Sequence, residues 1–344
     1  MKKHLLLFIG AFILILHGTV ICATTEERDF GTIINISIKQ QDLFEYVKIL
    51  SSDEMNGRGT LKNGYDLPST FLAKKLKLLG LTPLGDNGNT ASPKQMERMY
   101  TQEVQGRSWF DGMTVHSRNV LGYIEGKKRD EIIVIGAHYD HLGNHGGDIY
   151  AGADDNASGT AAVLTIANTY AELRKQGIQP TRSILIVLWG AEEYGLIGSK
   201  YFVLHPPIEV PLKNIVTVIN LDMVGRGKPN NYYCTSTPTE DTLSINCTPL
   251  YEVNERVSRE CGLKPNYTYG FTRRSGDHAS LFYALPKGKR IPILNYFTGL
   301  HEDYHKPTDT FEKIDYEKLM QMAQMAFLAS WYISKLPERP LYRE

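Results

Sequence analysis

The sequence predicts an α/β fold with a mixed, largely parallel central sheet, helices on both faces and extra helices at the N-terminus. Two observations support this prediction. From Tyr100 onward, short apolar runs rich in β-branched residues alternate with longer helical patterns. Each short run is bounded by glycine or polar residues, which is typical of a buried strand. Ligands of such sheets gather at the carboxyl ends of the strands, so the residues there are the functional candidates.

The individual elements follow from local patterns. Two amphipathic helices come first, at 41–50 and about 67–79, because their apolar residues recur at intervals of three and four, and the second stops at Gly80. Residues 86–98 are polar and rich in turn formers, which predicts a surface loop. The later predicted strands lie at 118–124, 132–136, 183–188, 215–221 and 292–297, and the later helices at about 157–176, 196–203, 251–261, directly after 277, and 316–333.

Size and charge narrow the class of protein. The chain has 344 residues, a mass of 38.8 kDa and a formal net charge of zero. Because no basic stripe is present, the sequence does not favour nucleic acid or an anionic membrane surface as a partner. No repeat or low-complexity linker divides the chain. We therefore expect one catalytic domain over 24–344, with a helical part at 24–100 packed on it.

The N-terminus has the pattern of a signal peptide. Lys2 and Lys3 precede an apolar run at 5–16, and small residues near Ala23 offer a cleavage site. The prediction is a signal peptide at 1–23, a secreted or periplasmic protein, and no stable membrane insertion after cleavage. A lipoprotein at Cys22 is the alternative, disfavoured by the bulky Ile21. Three cysteines then remain, which permits one disulfide of unknown pairing.

Imidazole and carboxylate side chains follow the ends of four predicted strands. In chain order these are His138, Asp140, Asp154, Asp155, Glu192, Glu193, Asp222 and His305. Unpaired buried carboxylates cost several kcal/mol each, and a divalent cation is the usual compensation. Mixed imidazole and carboxylate ligands are typical of zinc, whereas calcium prefers oxygen alone.

Six motifs give the sequence a family resemblance. GAHYDH, GADDNASG, WGAEEYGLIGS, NLDMVG, SGDHAS and FTGLHEDYHKPTDT, spread in order over about 118–335, resemble the secreted di-zinc aminopeptidases. That family includes bacterial leucyl aminopeptidases and aminopeptidase Y and, more distantly, glutamate carboxypeptidases and glutaminyl cyclases. The segment 50–59 also resembles its bacterial members. The resemblance implies a zinc-exopeptidase fold of the phosphorylase/hydrolase-like type.

The resemblance also implies a role for each candidate. His138 and Asp222 would bind one zinc ion, Glu193 and His305 a second, and Asp155 would bridge both. Asp155 would precede a cis peptide bond, Asp140 would accept the free imidazole N–H of His138, and Glu192 would be the general base. Neighbours on an extended backbone point in opposite directions, which agrees with splitting the Glu192–Glu193 pair. Asp154 as the bridge and His301 as a ligand are the alternatives.

Other polar residues near the motifs receive weaker interpretations. His141 and His145 are interpreted as loop residues rather than ligands. Asp277 and His278 either line the pocket or, for Asp277, cap a short helix. The tyrosines at 267–269 stand at an unclear offset from the SGDHAS motif, so the donor to the developing oxyanion stays unassigned.

The leading functional hypothesis is a zinc-dependent aminopeptidase acting on peptides, with Glu192 removing a proton from a metal-activated water. A glutaminyl cyclase is the main alternative, disfavoured because ligands for two metals are present. A dipeptidase or carboxypeptidase also stays open, since Arg273 or Arg274 could meet a substrate carboxylate. A binding ectodomain without catalysis would tend to lose ligands or the base, and here the whole set is present.

Overall fold

The computed structural model describes residues 38–61, 64–86, 98–237, 245–267 and 275–343. The predicted signal peptide at 1–23, most of the predicted loop at 86–98, and the positions of Arg273 and Arg274 lie outside these residues. Within the described ranges, every helix is too short or too polar to be a transmembrane span.

The strands of the described residues are numbered in chain order. They are β1 (Thr82–Pro83), β2 (Thr101–Arg107), β3 (Thr114–Ile124), β4 (Lys128–His138), β5 (Gly143–His145), β6 (Asp148–Tyr150), β7 (Arg182–Trp189), β8 (Ile215–Leu221), β9 (Asn231–Cys234), β10 (Ser236–Thr237), β11 (Ile245–Asn246), β12 (Lys264–Asn266) and β13 (Ile293–Phe297).

The helices of the same residues are α1 (Gln40–Leu50), α2 (Asp66–Leu78), α3 (Gly159–Lys175), α4 (Ile197–Leu204), α5 (Thr248–Glu260), α6 (His278–Phe282) and α7 (Tyr316–Lys335). Short 3₁₀ turns lie at Asp53–Arg58, Leu212–Asn214 and Phe311–Lys313, and an irregular helical turn at Ala153–Ser158 leads into α3.

The central sheet has the strand order β1-β3-β7-β4-β8-β13-β9-β12, with β2 paired to β3. The four middle strands, β7, β4, β8 and β13, run parallel to one another, while β3 and β9 join this block in antiparallel fashion. The mixed, largely parallel sheet predicted from the sequence is therefore confirmed. Because the middle strands are parallel, their carboxyl ends meet at one edge.

Alternate side chains of β4 enter two separate hydrophobic clusters, one on each face of the sheet. Ile133 and Ile135 pack in the larger cluster with residues of α3 and α7. Ile132 and Val134 pack in the other cluster with residues of α4 and α6. Helices thus cover both faces, and the strand is apolar on both sides because neither side meets water.

The N-terminal segment is joined to the sheet edge through one buried cation. Arg58 is fully buried and donates hydrogen bonds to four backbone carbonyls: those of Leu50, Tyr139, Ala151 and Gly152. Burial lowers the pKa of Arg58 to about 10, against the raising effect of nearby carboxylates, so the guanidinium is charged at neutral pH. It links α1 to the two loops that leave β4 and enter α3.

The disulfide that the cysteine count permits does not form among the described residues. Cys234, Cys247 and Cys261 are free thiols, and burial raises the pKa of each. They are packing residues rather than a redox or metal site.

Candidate metal centre

Each middle strand delivers part of the centre at its carboxyl end. His138 is the last residue of β4, and Asp222 follows β8 directly. Glu192 and Glu193 lie in the turn between β7 and α4, and His305 lies in the loop between β13 and α7. The parallel sheet therefore gathers residues that are far apart in the sequence.

The first compartment of the centre is formed by one histidine and two aspartates. His138 Nε2 lies 3.4 Å from Asp155 Oδ1 and 3.4 Å from Asp222 Oδ1. Both His138 and Asp155 are buried, whereas the Asp222 side chain is 22% exposed on the pocket side. These three side chains could hold one metal ion.

The second compartment adjoins the first and shares Asp155. His305 Nε2 lies 3.1 Å from Asp155 Oδ2 and 3.3 Å from Glu193 Oε2. Asp155 thus turns one carboxylate oxygen to each compartment, which is the geometry of a bridging ligand.

These spacings suit zinc. Tetrahedral ligands at zinc–ligand bonds of about 2.0–2.1 Å lie about 3.3–3.4 Å from one another, close to the separations in both compartments. His305 Nε2 is also buried without a well-directed hydrogen bond, despite the carboxylates around it. The donor set therefore fits metal ligation better than a hydrogen-bonded network.

The charges of the centre lead to the same conclusion. Burial alone would lower the pKa of His305, but Asp155 and Glu193 raise it to about 10. Burial would likewise lower the pKa of His138, but Glu192, Asp155 and Asp222 raise it well above its ordinary value. The carboxylates draw protons onto both imidazoles because the cluster has excess negative charge, which a divalent cation would neutralise.

Glu192 lies beside the two compartments without belonging to either. It lines the pocket, and burial raises the pKa of its carboxyl group well above the ordinary value, with Asp277 and Glu193 adding to the rise against His138. Its backbone N–H donates to Asp140 Oδ1 over 2.9 Å, so the position of Glu192 is set by the end of β4.

Asp140 has a different contact from the one that the resemblance implies. His138 Nδ1 lies 3.2 Å from the carbonyl oxygen of Asp140 and 3.9 Å from its carboxylate Oδ1. The carboxylate instead accepts the backbone N–H groups of Glu192 and Glu193. Since those donors occupy the carboxylate, the imidazole N–H is left with the main-chain oxygen.

Hydrogen bonds to Asp309 fix the loop that carries Asp155. Asp309 accepts the backbone N–H groups of Asp154 and Asp155, and the Asp155–Asn156 peptide bond is cis, as the resemblance implies. Asp154 turns away from the pocket: its Oδ1 accepts the Gly225 N–H, and its Oδ2 lies 3.2 Å from His301 Nε2. Asp154, the alternative bridging residue, and His301, the alternative ligand, therefore contact each other and not the metal compartments.

His141 lies in the connection between β4 and β5, as interpreted, but it is not a surface residue. Its side chain is completely buried, and Nδ1 lies 2.8 Å from Glu193 Oε1. A second set of possible metal ligands is accordingly His141, Asp155 and Glu193. His145 is exposed, as interpreted. The only sequence signal for His141 was its position directly after Asp140, and that signal does not indicate where a side chain points.

The pocket in front of the metal compartments is acidic at its base and apolar on its walls. Four carboxylates line it, those of Asp155, Glu192, Glu193 and Asp222, and no Lys or Arg of the described residues does. The remaining described lining residues are His138, Met223, Ser275, Gly276, Asn295, Phe297, Leu300 and Tyr304.

The structure shows the surroundings of Asp277 and His278, which belong to the SGDHAS motif. Asp277 and His278 are buried, and neither lines the pocket. Asp277 stands at the N-cap position of α6 but makes no capping hydrogen bond with its side chain. Burial raises its pKa to about 7. Tyr267 is directed elsewhere, since its hydroxyl donates to Glu255 Oε1.

The fold and the site together define an α/β protein with a cluster of candidate metal ligands at the carboxyl edge of its sheet. The chain belongs to peptidase family M28, whose model matches residues 119–330. This confirms the family resemblance of the six motifs.

Individual relatives agree with this placement. Aminopeptidase YwaD of Bacillus subtilis is 28% identical over 235 residues, covering 65% of this chain and 46% of that protein. The Legionella pneumophila LapA aminopeptidase has a TM-score of 0.65 at 18% identity, covering 98% of this chain and 81% of that one. A Bacteroides thetaiotaomicron glutaminyl cyclase has a TM-score of 0.63 at 20% identity, covering 86% and 98%. These two structures share the fold, and this chain spans less than half of YwaD.

Proposed function

We propose that the protein is a zinc-dependent aminopeptidase that removes N-terminal residues from peptides. The observation that carries the proposal is the convergence of two imidazole–carboxylate compartments on one shared aspartate, with a separate carboxylate beside them. His138 and Asp222 would hold one zinc ion, Glu193 and His305 the other, and Asp155 both. When bound, such ions polarise a carbonyl group and lower the pKa of a water molecule.

The residues of the chain supply the proton transfers. Glu192 is the proposed general base: its carboxylate takes a proton from the attacking water and returns it to the departing amine. Burial raises the pKa of its carboxyl group above that of an exposed glutamate, which favours a group that must both accept and donate a proton.

Tyr304 is the proposed donor to the oxygen on which negative charge develops. Its ring stacks on His305 with a centroid separation of 3.8 Å, and it lines the pocket. Burial, Asp155 and Glu193 raise the pKa of its phenol, so the hydroxyl keeps its proton and can donate a hydrogen bond.

The lining of the pocket supports action at the N-terminus of a peptide. Glu192 is the one carboxylate of the described lining that is not a proposed metal ligand, so it could meet a substrate ammonium group, and no Lys or Arg of the described lining is present to meet a substrate carboxylate. The side chain of the N-terminal residue would rest on Met223, Phe297 and Leu300, which favours large apolar residues such as leucine. Export through the signal peptide at 1–23 is part of the proposal and is supported by the sequence pattern alone.

Hydrolysis of an amino-acid arylamide panel tests this function. We expect turnover of leucyl, methionyl and phenylalanyl arylamides, little turnover of glutamyl or lysyl arylamides, and none of N-acetylated versions. Treatment with a chelator should abolish turnover, and added zinc should restore it. Cleavage of the N-acetylated substrates would contradict the proposal, and so would cyclisation of glutaminyl peptides in place of hydrolysis.

A further inference from the structure

His141 is held in one position by three sets of contacts. Its backbone N–H donates to the Arg58 carbonyl over 3.4 Å, and it forms a parallel bridge with Gly59. Its ring lies against Gly152, where an added Cβ would stand 2.5 Å from ring atoms Cγ and Cδ2. Gly152 also has a positive φ of 56°, so both the close approach of the ring and the backbone conformation favour glycine there. The ring therefore has little freedom to turn.

This fixed ring contacts one oxygen of Glu193. His141 Nδ1 lies 2.8 Å from Oε1, while Oε2 of the same carboxylate lies 3.3 Å from His305 Nε2. A glutamate carboxylate only accepts hydrogen bonds, so Nδ1 carries the proton and donates. One oxygen of Glu193 is thereby held, and the other is left facing the second compartment.

The separations distinguish a hydrogen bond from shared metal ligation. Two tetrahedral zinc ligands lie about 3.3 Å apart or slightly more. The 2.8 Å between His141 and Glu193 is too short for that and normal for a charge-assisted hydrogen bond. His141 Nδ1 is also 3.8 Å from Asp155 Oδ2, whereas His305 Nε2 is 3.1 Å from that atom. His305 Nε2 therefore faces two carboxylates of the second compartment, Asp155 and Glu193, whereas His141 contacts Glu193 alone, and we assign ligation to His305 and another role to His141.

We propose that His141 is a positioning residue, which donates from Nδ1 to Glu193 Oε1 and so presents Oε2 to the metal of the second compartment. This inference rests on the proposed function, because it assigns a metal to that compartment. Hydrogen-bond partners of metal ligands typically contribute about 10–100-fold to metal affinity. The effect should fall on one of the two ions, since Glu193 serves only the second compartment.

Zinc titration of the metal-free protein against a chromophoric chelator tests the inference without relying on activity. The variants are His141→Ala, His141→Asn and His141→Gln, with His145→Ala as the control, since His145 is an exposed histidine nearby, at the end of β5. An asparagine amide N–H can occupy roughly the place of the imidazole Nδ1–H, whereas a glutamine reaches too far. Circular dichroism of the metal-free proteins shows whether each variant is folded.

The expected result is specific to one ion. Wild type and His145→Ala should bind two zinc ions, and His141→Ala and His141→Gln should bind one ion as before and the other about 10–100-fold more weakly. His141→Asn should recover most of the loss. If His141→Ala does not fold, the comparison of the Asn and Gln variants decides.

Two results would overturn the inference. Unchanged affinity for both ions in the folded Ala or Gln variant would leave His141 without a role in metal binding. A loss that His141→Asn does not recover would instead make His141 a ligand or a packing residue. Neither result touches the proposed function, whereas a wild-type protein that binds no zinc would refute the function itself.

Discussion

At the scale of single residues, the centre depends on neighbours that are alike in sequence and different in environment. Glu192 and Glu193 are adjacent and both donate a backbone N–H to the Asp140 carboxylate, yet only the Glu193 side chain contacts His141 and His305. The structure places both glutamates in the turn between β7 and α4 rather than on extended backbone, so the turn, and not strand alternation, separates the two roles. The same separation occurs between Asp154 and Asp155, where one carboxylate faces His301 and the other the metal compartments.

The glutamate pair gives a matched prediction. Glu192→Gln should retain both zinc ions and lose turnover by about 10²–10⁴-fold, because the amide cannot accept the water proton. Glu193→Gln should lose one zinc ion, because it removes a charged ligand. Metal content by mass spectrometry and steady-state kinetics on a leucyl arylamide separate the two. If Glu192→Gln turned over at the wild-type rate, the general base would have to be another group.

The sequence allowed the ligand residues to be proposed and left their surroundings unknown. His138, Asp155 and Asp222 stand next to strand ends or in a glycine-rich loop, so their common edge follows from the strand pattern. Contacts such as His141 with Glu193 or Asp309 with the Asp155 N–H depend on side-chain rotamers and on residues over 50 positions away in sequence, which no local pattern encodes. His141 was missed for that reason.

At the scale of elements, the strands buried on both faces were predicted well, whereas several short or polar strands toward the edges of the sheet, among them β2 and β9, were missed. The predicted strand at 215–221 agrees with β8, whose seven residues are all buried. β2 was not predicted because Thr101–Arg107 is largely polar. In the described sheet it lies off the main strand order and pairs with β3. Apolar runs identify strands that are covered on two sides, and an exposed edge does not need them.

The Asp53–Arg58 turn is the element whose loss should matter most for the site. Arg58→Met would leave four buried carbonyls, those that the guanidinium now contacts, without a donor. We expect the free energy of unfolding to fall by at least about 3 kcal/mol.

Urea unfolding of the metal-free protein measures that change. The control is Arg129→Met, because the Arg129 side chain is 75% exposed, and its effect should stay within about 0.5 kcal/mol. A similarly small effect of Arg58→Met would mean that the N-terminal segment does not brace the loops of the centre.

At the scale of the whole molecule, we propose that residues 24–344 form one domain, with the helical part at 24–100 built into it. Leu43, Val47 and Leu50 of α1 belong to the same hydrophobic cluster as residues of α3 and α7. Arg58 reaches the loops of the metal centre from the same segment. An independent N-terminal unit would have its own core, and the described part of this segment shares one.

Calorimetry of the metal-free protein tests this proposal. One domain should give a single transition whose calorimetric and van't Hoff enthalpies agree, because the shared core melts as a unit. Arg58→Met should shift that transition to lower temperature without dividing it. Two resolved transitions in the wild-type protein would instead separate the N-terminal part from the sheet.

The most direct test of the central claim is mass spectrometry of a decapeptide during digestion, with leucine at its N-terminus. The account predicts a ladder of products that shorten one residue at a time from the N-terminus, and no products when zinc has been removed by a chelator. An N-acetylated copy of the peptide should stay intact. Products shortened from the C-terminus, internal cleavage, or a ladder that persists without metal would contradict the account.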